Sequence, residues 1–263
     1  MVNCDIGRVV FVGAGPGAPD LITVRGLRLL QQADVVIHDA LPGDALLAEV
    51  SPSARIVPVG KRCGVHSATQ DEINAVIVHE ARQGGLIVRL KGGDPGVFGR
   101  LGEEMDHLAS LGIPFEVVPG VTAATAAGAD GAFPLTHRGK AASVTFLTGH
   151  CADGSDQNWS AHVATGSTLC LYMGAKALPD VARKLILAGA QADLPIRLLS
   201  KVSQEGASDI LTSLANVAAG KVDVATLPTP LIAVVGAVVA PPRSPSLLSR
   251  IAAAQVPANV RPE

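Results

Sequence analysis

The chain has 263 residues, of which 48% are hydrophobic and 17% charged, with a formal net charge of −2. That composition is ample for a packed core and too poor in charge for a solvated, disordered chain, and the balance of charge excludes the basic surface of a nucleic-acid or membrane-surface binder. Mean hydropathy is +0.36, yet the longest apolar run, residues 231–240, is about half a membrane span and contains Gly236.

Arg8-Val9-Val10-Phe11-Val12 reads as a strand. It runs into Gly13-Ala14-Gly15-Pro16-Gly17-Ala18-Pro19-Asp20, where Asp20 is placed to cap a helix carrying Leu21, Val24, Leu27, Leu29 and Leu30. Residues 35–38 form a second strand ending at Asp39. A short helix around 45–50 leads to a third strand, 55–59, which ends at Gly60-Lys61-Arg62. Thr69-Gln70-Asp71-Glu72 spells a capping box, before a helix buried through Ile73, Val76, Ile77 and Ala81. Residues 86–90 are a buried strand, and Glu103, Met105, Leu108 and Leu111 begin a helix-spaced pattern that stops at Gly112. Residues 114–118 make another strand. This alternation predicts a mainly parallel sheet with helices on both faces.

From Pro119 the texture changes. Residues 120–129 are small, suited to close packing or a hinge, and the alternation then resumes. Strands are expected at 143–148, 168–173, 195–200 and 231–236, with helices near 176–188 and 212–219. The expected organisation is an N-terminal α/β domain (1–119), a connection (120–142), a C-terminal α/β domain (143–240) and a tail (241–263). Cys4, Cys63, Cys151 and Cys170 lack C-x-x-C spacing, which predicts reduced thiols rather than a zinc site or a disulfide framework. The N-terminus lacks a basic and then apolar leader, so a cytoplasmic location is expected.

Gly92-Gly93-Asp94-Pro95 joins a strand to a helix, the usual ligand position in an open parallel sheet. Two glycines let a ligand approach the backbone, Asp94 adds an acceptor, and Arg100 a charged fork one turn later. The same residues also describe a tight turn with a solvated Asp and Arg. Gly13-Ala14-Gly15-Pro16-Gly17-Ala18 matches the dinucleotide fingerprint, with Asp34 and Asp39 near the spacing of a ribose-binding acid. Against that reading, Pro16 and Pro19 remove two N–H donors that a pyrophosphate uses. Asp39 and Lys61, on adjacent strand ends, either exchange protons with one ligand or form a rim salt bridge.

Taken together, the motifs occur in a recognisable order. They are V-G-A-G-P-G at 12–17, V-G-K-R at 59–62, L-K-G-G-D-P with V-F-G-R across 90–100, V-P-G-V-T-A-A at 118–124, P-L-T-H-R at 134–138, T-G-H at 148–150 and Y-M-G at 172–174. This resembles the tetrapyrrole methylase family over about residues 8–240. The resemblance implies two α/β domains with mainly parallel or mixed sheets, the active site in the cleft between them, and a homodimer. It implies S-adenosylmethionine as cofactor and a small-molecule tetrapyrrole as substrate; the sulfonium makes the methyl group electrophilic, so no metal is expected, and the charge balance already argues against a nucleic-acid or membrane partner. Carried over by position, the cofactor contacts are Pro16, Gly92, Gly93, Asp94, Val97, Thr122, Ala123 and Met173. Asp39 and Lys61 match proton-acceptor and proton-donor positions, Arg100 is catalytic and substrate-contacting, and Glu103 and Arg138 face the substrate.

The activity implied is C-methylation of uroporphyrinogen III at C2 and then C7, giving precorrin-2 via precorrin-1, by a stand-alone methyltransferase. The alternatives are methylation of another tetrapyrrole and non-catalytic S-adenosylmethionine binding. The chain departs from the family pattern at Gly96 and Leu101, which replace a Phe and a Gly. It departs again at Ala40, Asp130, Gly139-Lys140 and Ser200-Lys201-Val202-Ser203. Most of these positions belong to the substrate side, so the cofactor motifs are the better preserved.

Overall fold

The computed structural model describes residues 6–60, 68–149 and 157–240. Lys61, Arg62, His150, Cys4, Cys63, Cys151 and the expected tail lie outside the described residues. The chain divides into two compact units, Met1–Ala123 and Ala124–Glu263.

The first unit runs β1 (Arg8–Gly13), α1 (Val24–Gln32), β2 (Val35–His38), α2 (Asp44–Leu47), β3 (Arg55–Pro58), α3 (Gln70–Ala81), β4 (Leu86–Lys91), α4 (Leu101–Ser110) and β5 (Phe115–Val118). Its sheet has the order β3-β2-β4-β1-β5, and every pairing is parallel. Alternate residues feed two separate cores. Val10, Val12, Val36, Val88 and Leu90 pack with Leu30 of α1 and Leu46 of α2. Val9, Phe11, Ile37 and Ile87 pack with Ile77 of α3 and Leu108 of α4. Burial on both faces is why these strands read as unbroken apolar runs. Neighbouring strands β1 and β4 send their chains to opposite faces, toward α1 and α4. The crevice outside their carboxyl ends is the place where such sheets bind ligands.

The capping box of α3 is present. The Thr69 hydroxyl accepts the Glu72 N–H at 3.2 Å and the Glu72 carboxylate accepts the Thr69 N–H at 2.6 Å. The expected cap of α1 is corrected. Asp20 lies inside a single 3₁₀ turn, Pro19–Leu21, and the α-helix starts later, capped by Thr23, whose hydroxyl accepts the Gly26 N–H at 3.1 Å. Thr23 has the extended backbone that an N-cap requires, with φ −70° and ψ 150°. Val24, expected in the core, consequently sits on the solvent side of the first turn, 65% exposed.

The small-residue stretch becomes α5 (Ala123–Asp130), with Ala124, Ala126, Ala127 and Gly128 buried. After it come β6 (Val144–Thr148), α6 (Trp159–Ala164), β7 (Thr168–Tyr172), α7 (Leu178–Leu187), β8 (Pro195–Ser200), β9 (Ser208–Ser213), α8 (Leu214–Ala218) and β10 (Leu231–Val235). The sheet order is β6-β7-β10-β8-β9. Only β6 and β7 pair in parallel, so this sheet is mixed where the first is wholly parallel. The reason is local: β8 and β9 are joined by a short connection that can only close an antiparallel pair. Helices α6, α7 and α8 cover one face through Trp159, Leu178, Leu185, Leu214 and Val217. On the other face, Arg197 forms a fork to Asp209 at 2.8 and 2.6 Å and donates to the Gly131 carbonyl at 2.6 Å. Among the described residues, no helix is long and apolar enough to cross a membrane.

Candidate active site

At the carboxyl edge of the first sheet, three loops meet backbone to backbone. Gly15 and Gly93 exchange N–H···O bonds of 3.2 and 2.7 Å, tying the loop after β1 to the loop after β4. A Cβ on Gly13 would stand 2.5 Å from Gly120 Cα, and one on Gly120 would stand 2.2 Å from the Gly93 oxygen. Only glycine permits that approach. Asp94 closes the arrangement: one oxygen accepts the Gly96 N–H at 2.8 Å, the other the Gly120 N–H at 2.9 Å. Asp94 therefore organises the loops that surround it. At Gly93, which has φ +68°, nothing lies within 4 Å of where a Cβ would be, so space is open beside its backbone. Pro16, Gly92, Val97 and Thr122 are half-buried around the same loops. A glycine-walled edge with open space and a nearby aliphatic side chain fits a folded cofactor with polar and aromatic parts.

The dinucleotide alternative fits less well. A 3₁₀ turn and the Thr23 cap separate the glycines from α1, so no helix N-terminus faces the loop where a pyrophosphate would need one. Asp34, the candidate ribose acid, stands at the amino end of β2, where it accepts the Leu86 N–H at 2.7 Å.

Asp39 follows β2 at the same edge and is about 28% exposed. Its partner is Arg89 of β4, with Nη2 2.6 Å from Oδ1. The proposed rim partner Lys61 lies outside the described residues. Arg89 is buried, and its Nε and Nη2 both donate to Glu104 Oε1, at 3.3 and 3.2 Å. The other Glu104 oxygen accepts from Lys91 Nζ at 2.6 Å. Burial, reinforced by the neighbouring Arg89 charge, pushes the Lys91 ammonium below its ordinary range, while Glu104 pulls it back up. Removing one member of such a buried set strands a charge, at a cost of about 3–5 kcal/mol. Sequence reasoning missed Arg89, Lys91 and Glu104. The available signal was a charge inside an apolar strand buried on both faces.

Between the glycine loop and α4 the chain is strained. Phe98 and Arg100 have φ of 53° and 55°, in the left-handed region. Arg100 and Glu103 form an exposed fork of 2.8 and 2.6 Å. That hydrogen bonding raises the Arg100 pKa and lowers that of Glu103.

In the second unit, Met173 follows β7 with φ 52° and is 57% exposed. Gly174 behind it packs on Gly149, and the Ala124 N–H at the start of α5 donates to the Tyr172 hydroxyl at 3.1 Å. Arg138 is exposed in a turn closed by the His137–Ala141 bridge. Ala123 is half-buried as the first residue of α5.

Comparison with known proteins gives a consistent picture. The family model for Tetrapyrrole (Corrin/Porphyrin) Methylases matches residues 8–218. The chain is 44% identical over 237 residues to a uroporphyrinogen-III C-methyltransferase of Paracoccus denitrificans, covering 89% of this chain and 82% of that protein. It is 45% identical over 236 residues to the siroheme synthase of Hahella chejuensis, covering 89% of this chain and 50% of that protein. The chain thus spans about half the length of the siroheme synthases it matches. A Thermus thermophilus uroporphyrin-III C-methyltransferase solved with S-adenosylhomocysteine superposes with a TM-score of 0.78 at 37% identity, covering 89% of this chain and 99% of that one. A cobalt precorrin-4 methyltransferase superposes at 0.79 with 27% identity, covering 89% and 96%.

Proposed function

The chain belongs to the tetrapyrrole (corrin/porphyrin) methylase family, and from that premise we propose that it methylates uroporphyrinogen III twice, at C2 and then C7, giving precorrin-2 via precorrin-1. The observation that carries this reading is the 44% identity to the Paracoccus methyltransferase across 82% of that protein's length. S-adenosylmethionine, when bound, supplies an electrophilic methyl group on sulfur. The residues assigned to hold it are Pro16, Gly92, Gly93, Asp94, Val97, Thr122, Ala123 and Met173. The working protein is taken to be a homodimer.

The chain's own residues have three tasks. The glycine loops must place the donor and the attacking pyrrole carbon in line, because near-attack geometry supplies much of the acceleration. Arg100 and Arg138 anchor substrate carboxylates through charge-assisted forks; Arg100, paired with Glu103, exchanges one carboxylate partner for another on binding. Asp39 accepts the one proton that the macrocycle loses for each methyl group gained, and Lys61 occupies the family's proton-donor position. Gly96 and Leu101 favour a second reading, methylation of a different tetrapyrrole, because they alter the chain on either side of Arg100.

The test is an anaerobic incubation with S-adenosylmethionine and freshly generated uroporphyrinogen III, followed by product mass. A gain of two methyl groups is expected. Binding of S-adenosylmethionine without methylation of uroporphyrinogen III would overturn the substrate assignment.

A further inference from the structure

We propose that Arg89, seated on Glu104, is the positioning residue that fixes the Asp39 carboxylate at the sheet edge. The inference rests on the reading of Asp39 as proton acceptor. A carboxylate on a loop after a strand has free side-chain torsions, and a base must lie within hydrogen-bond reach of its proton. Here both halves of Asp39 are pinned. Its N–H donates to the Leu90 carbonyl at 3.4 Å, and Gly60 packs so tightly on the Asp39–Ala40 peptide that a Cβ there would stand 2.1 Å from the Ala40 nitrogen. Arg89 takes Oδ1 at 2.6 Å. Among the described residues, Oδ2 accepts only a long bond of 3.4 Å from the Gly92 N–H, and this oxygen is the one turned toward the ligand in the proposed arrangement.

Arg89 in turn has little freedom. Nη1 donates to the Leu90 carbonyl at 3.2 Å, and Nε and Nη2 are committed to Glu104. Glu104 is itself held by Lys91 at 2.6 Å and by Gln70 at 3.4 Å. Two cations and two carboxylates balance within this set, so the fork is both immobile and charge-compensated. Glu104 sits on α4, whose N-cap is Arg100. The same helix therefore anchors the Asp39 carboxylate, through Arg89, and presents the substrate-side arginine.

A structural role and a positioning role differ in what they couple to. Arg89→Met, Arg89→Lys, Glu104→Gln, Asp39→Asn and the Arg89→Met/Asp39→Asn double variant of the full chain are to be compared. The readouts are kcat and KM with S-adenosylmethionine and uroporphyrinogen III, melting temperature, and the crystal structure of Arg89→Met. Positioning predicts a kcat loss of roughly 10²-fold for Arg89→Met, the scale of a misplaced group. The KM for S-adenosylmethionine should change less than about twofold, Arg89→Lys should recover part of the loss, and the double variant should be no slower than Asp39→Asn. Multiplicative losses in the double variant, or wild-type kcat in Arg89→Met, overturn the proposal. If Arg89→Met does not fold, Glu104→Gln carries the test, with a smaller kcat loss and the same non-additivity with Asp39→Asn. Wild-type kcat in Asp39→Asn would instead refute the proton-acceptor reading. The crystal structure then decides positioning alone: an Asp39 carboxylate within about 0.5 Å of its wild-type place contradicts it.

Discussion

Gly120→Ala probes the point where the three loops of the first unit meet. The new methyl would stand 2.2 Å from the Gly93 oxygen and 2.8 Å from Gly13 Cα, both backbone atoms that no side-chain rotation can move away. Relief requires the loop after β5 to shift outward, and that pulls the Gly120 N–H from the Asp94 carboxylate, now at 2.9 Å. Overpacking costs about 1–3 kcal/mol and a hydrogen bond to a charged group about 1.5–3 kcal/mol. Together these correspond to a fall in melting temperature on the order of 10 °C. The contrasting change is Gly93→Ala, which meets nothing within 4 Å but keeps φ +68°. Its left-handed cost is about 1–2 kcal/mol, so it should melt only a few degrees low. It should nevertheless bind S-adenosylmethionine poorly, because the methyl enters the open space. Thermal unfolding and calorimetric titration of both variants test the pair. A Gly120→Ala protein with wild-type melting and wild-type affinity would refute the reasoning.

Arg100→Ala should lower kcat/KM for the tetrapyrrole by roughly 10–100-fold, the value of a charge-assisted contact, while calorimetry finds S-adenosylmethionine affinity nearly unchanged; equal loss of both would misplace Arg100. Met173→Asp puts a charge into an apolar contact and should weaken S-adenosylmethionine binding by at least roughly tenfold; unchanged affinity would remove Met173 from the cofactor site. Burial pushes the Cys170 thiol up from 9.0 to about 12. Between those values the folded thiol keeps its proton while the unfolded one ionises, so stability falls as pH rises through that window. Denaturant titrations above pH 9 should show a shallower fall for Cys170→Ala than for the wild type, and identical slopes would contradict the burial.

What was legible in the sequence was whatever depends on neighbours along the chain. The Thr69–Glu72 capping box and the apolar strands β1, β2 and β4 follow from spacing alone, and each appears where it was expected. Less legible was anything set by a distant partner. Strand β9, Ser208-Asp209-Ile210-Leu211-Thr212-Ser213, is polar at both ends, and its identity comes from pairing with β8; its last two residues read instead as the start of a helix. The role of Arg89 inside the apolar run was not legible because Glu104, which makes its burial tolerable, lies 15 residues away. Asp94 read as a carboxylate acceptor at the rim, but the bonds by which it ties backbone N–H groups together, one of them from Gly120 on a different loop, could not be seen from its neighbours in sequence. The ordered motifs were the exception. They identified the family because their sequence of occurrence is specific even where each alone is a common turn.

The central claim is best tested by where the methyl groups go. Anaerobic turnover with S-adenosylmethionine carrying a ¹³C-labelled methyl group, followed by NMR of the extracted tetrapyrrole, reads this directly. The account predicts two labelled methyl groups on carbon, at C2 and C7. A label at any other position, a single label at completion, or label on oxygen or nitrogen would contradict it.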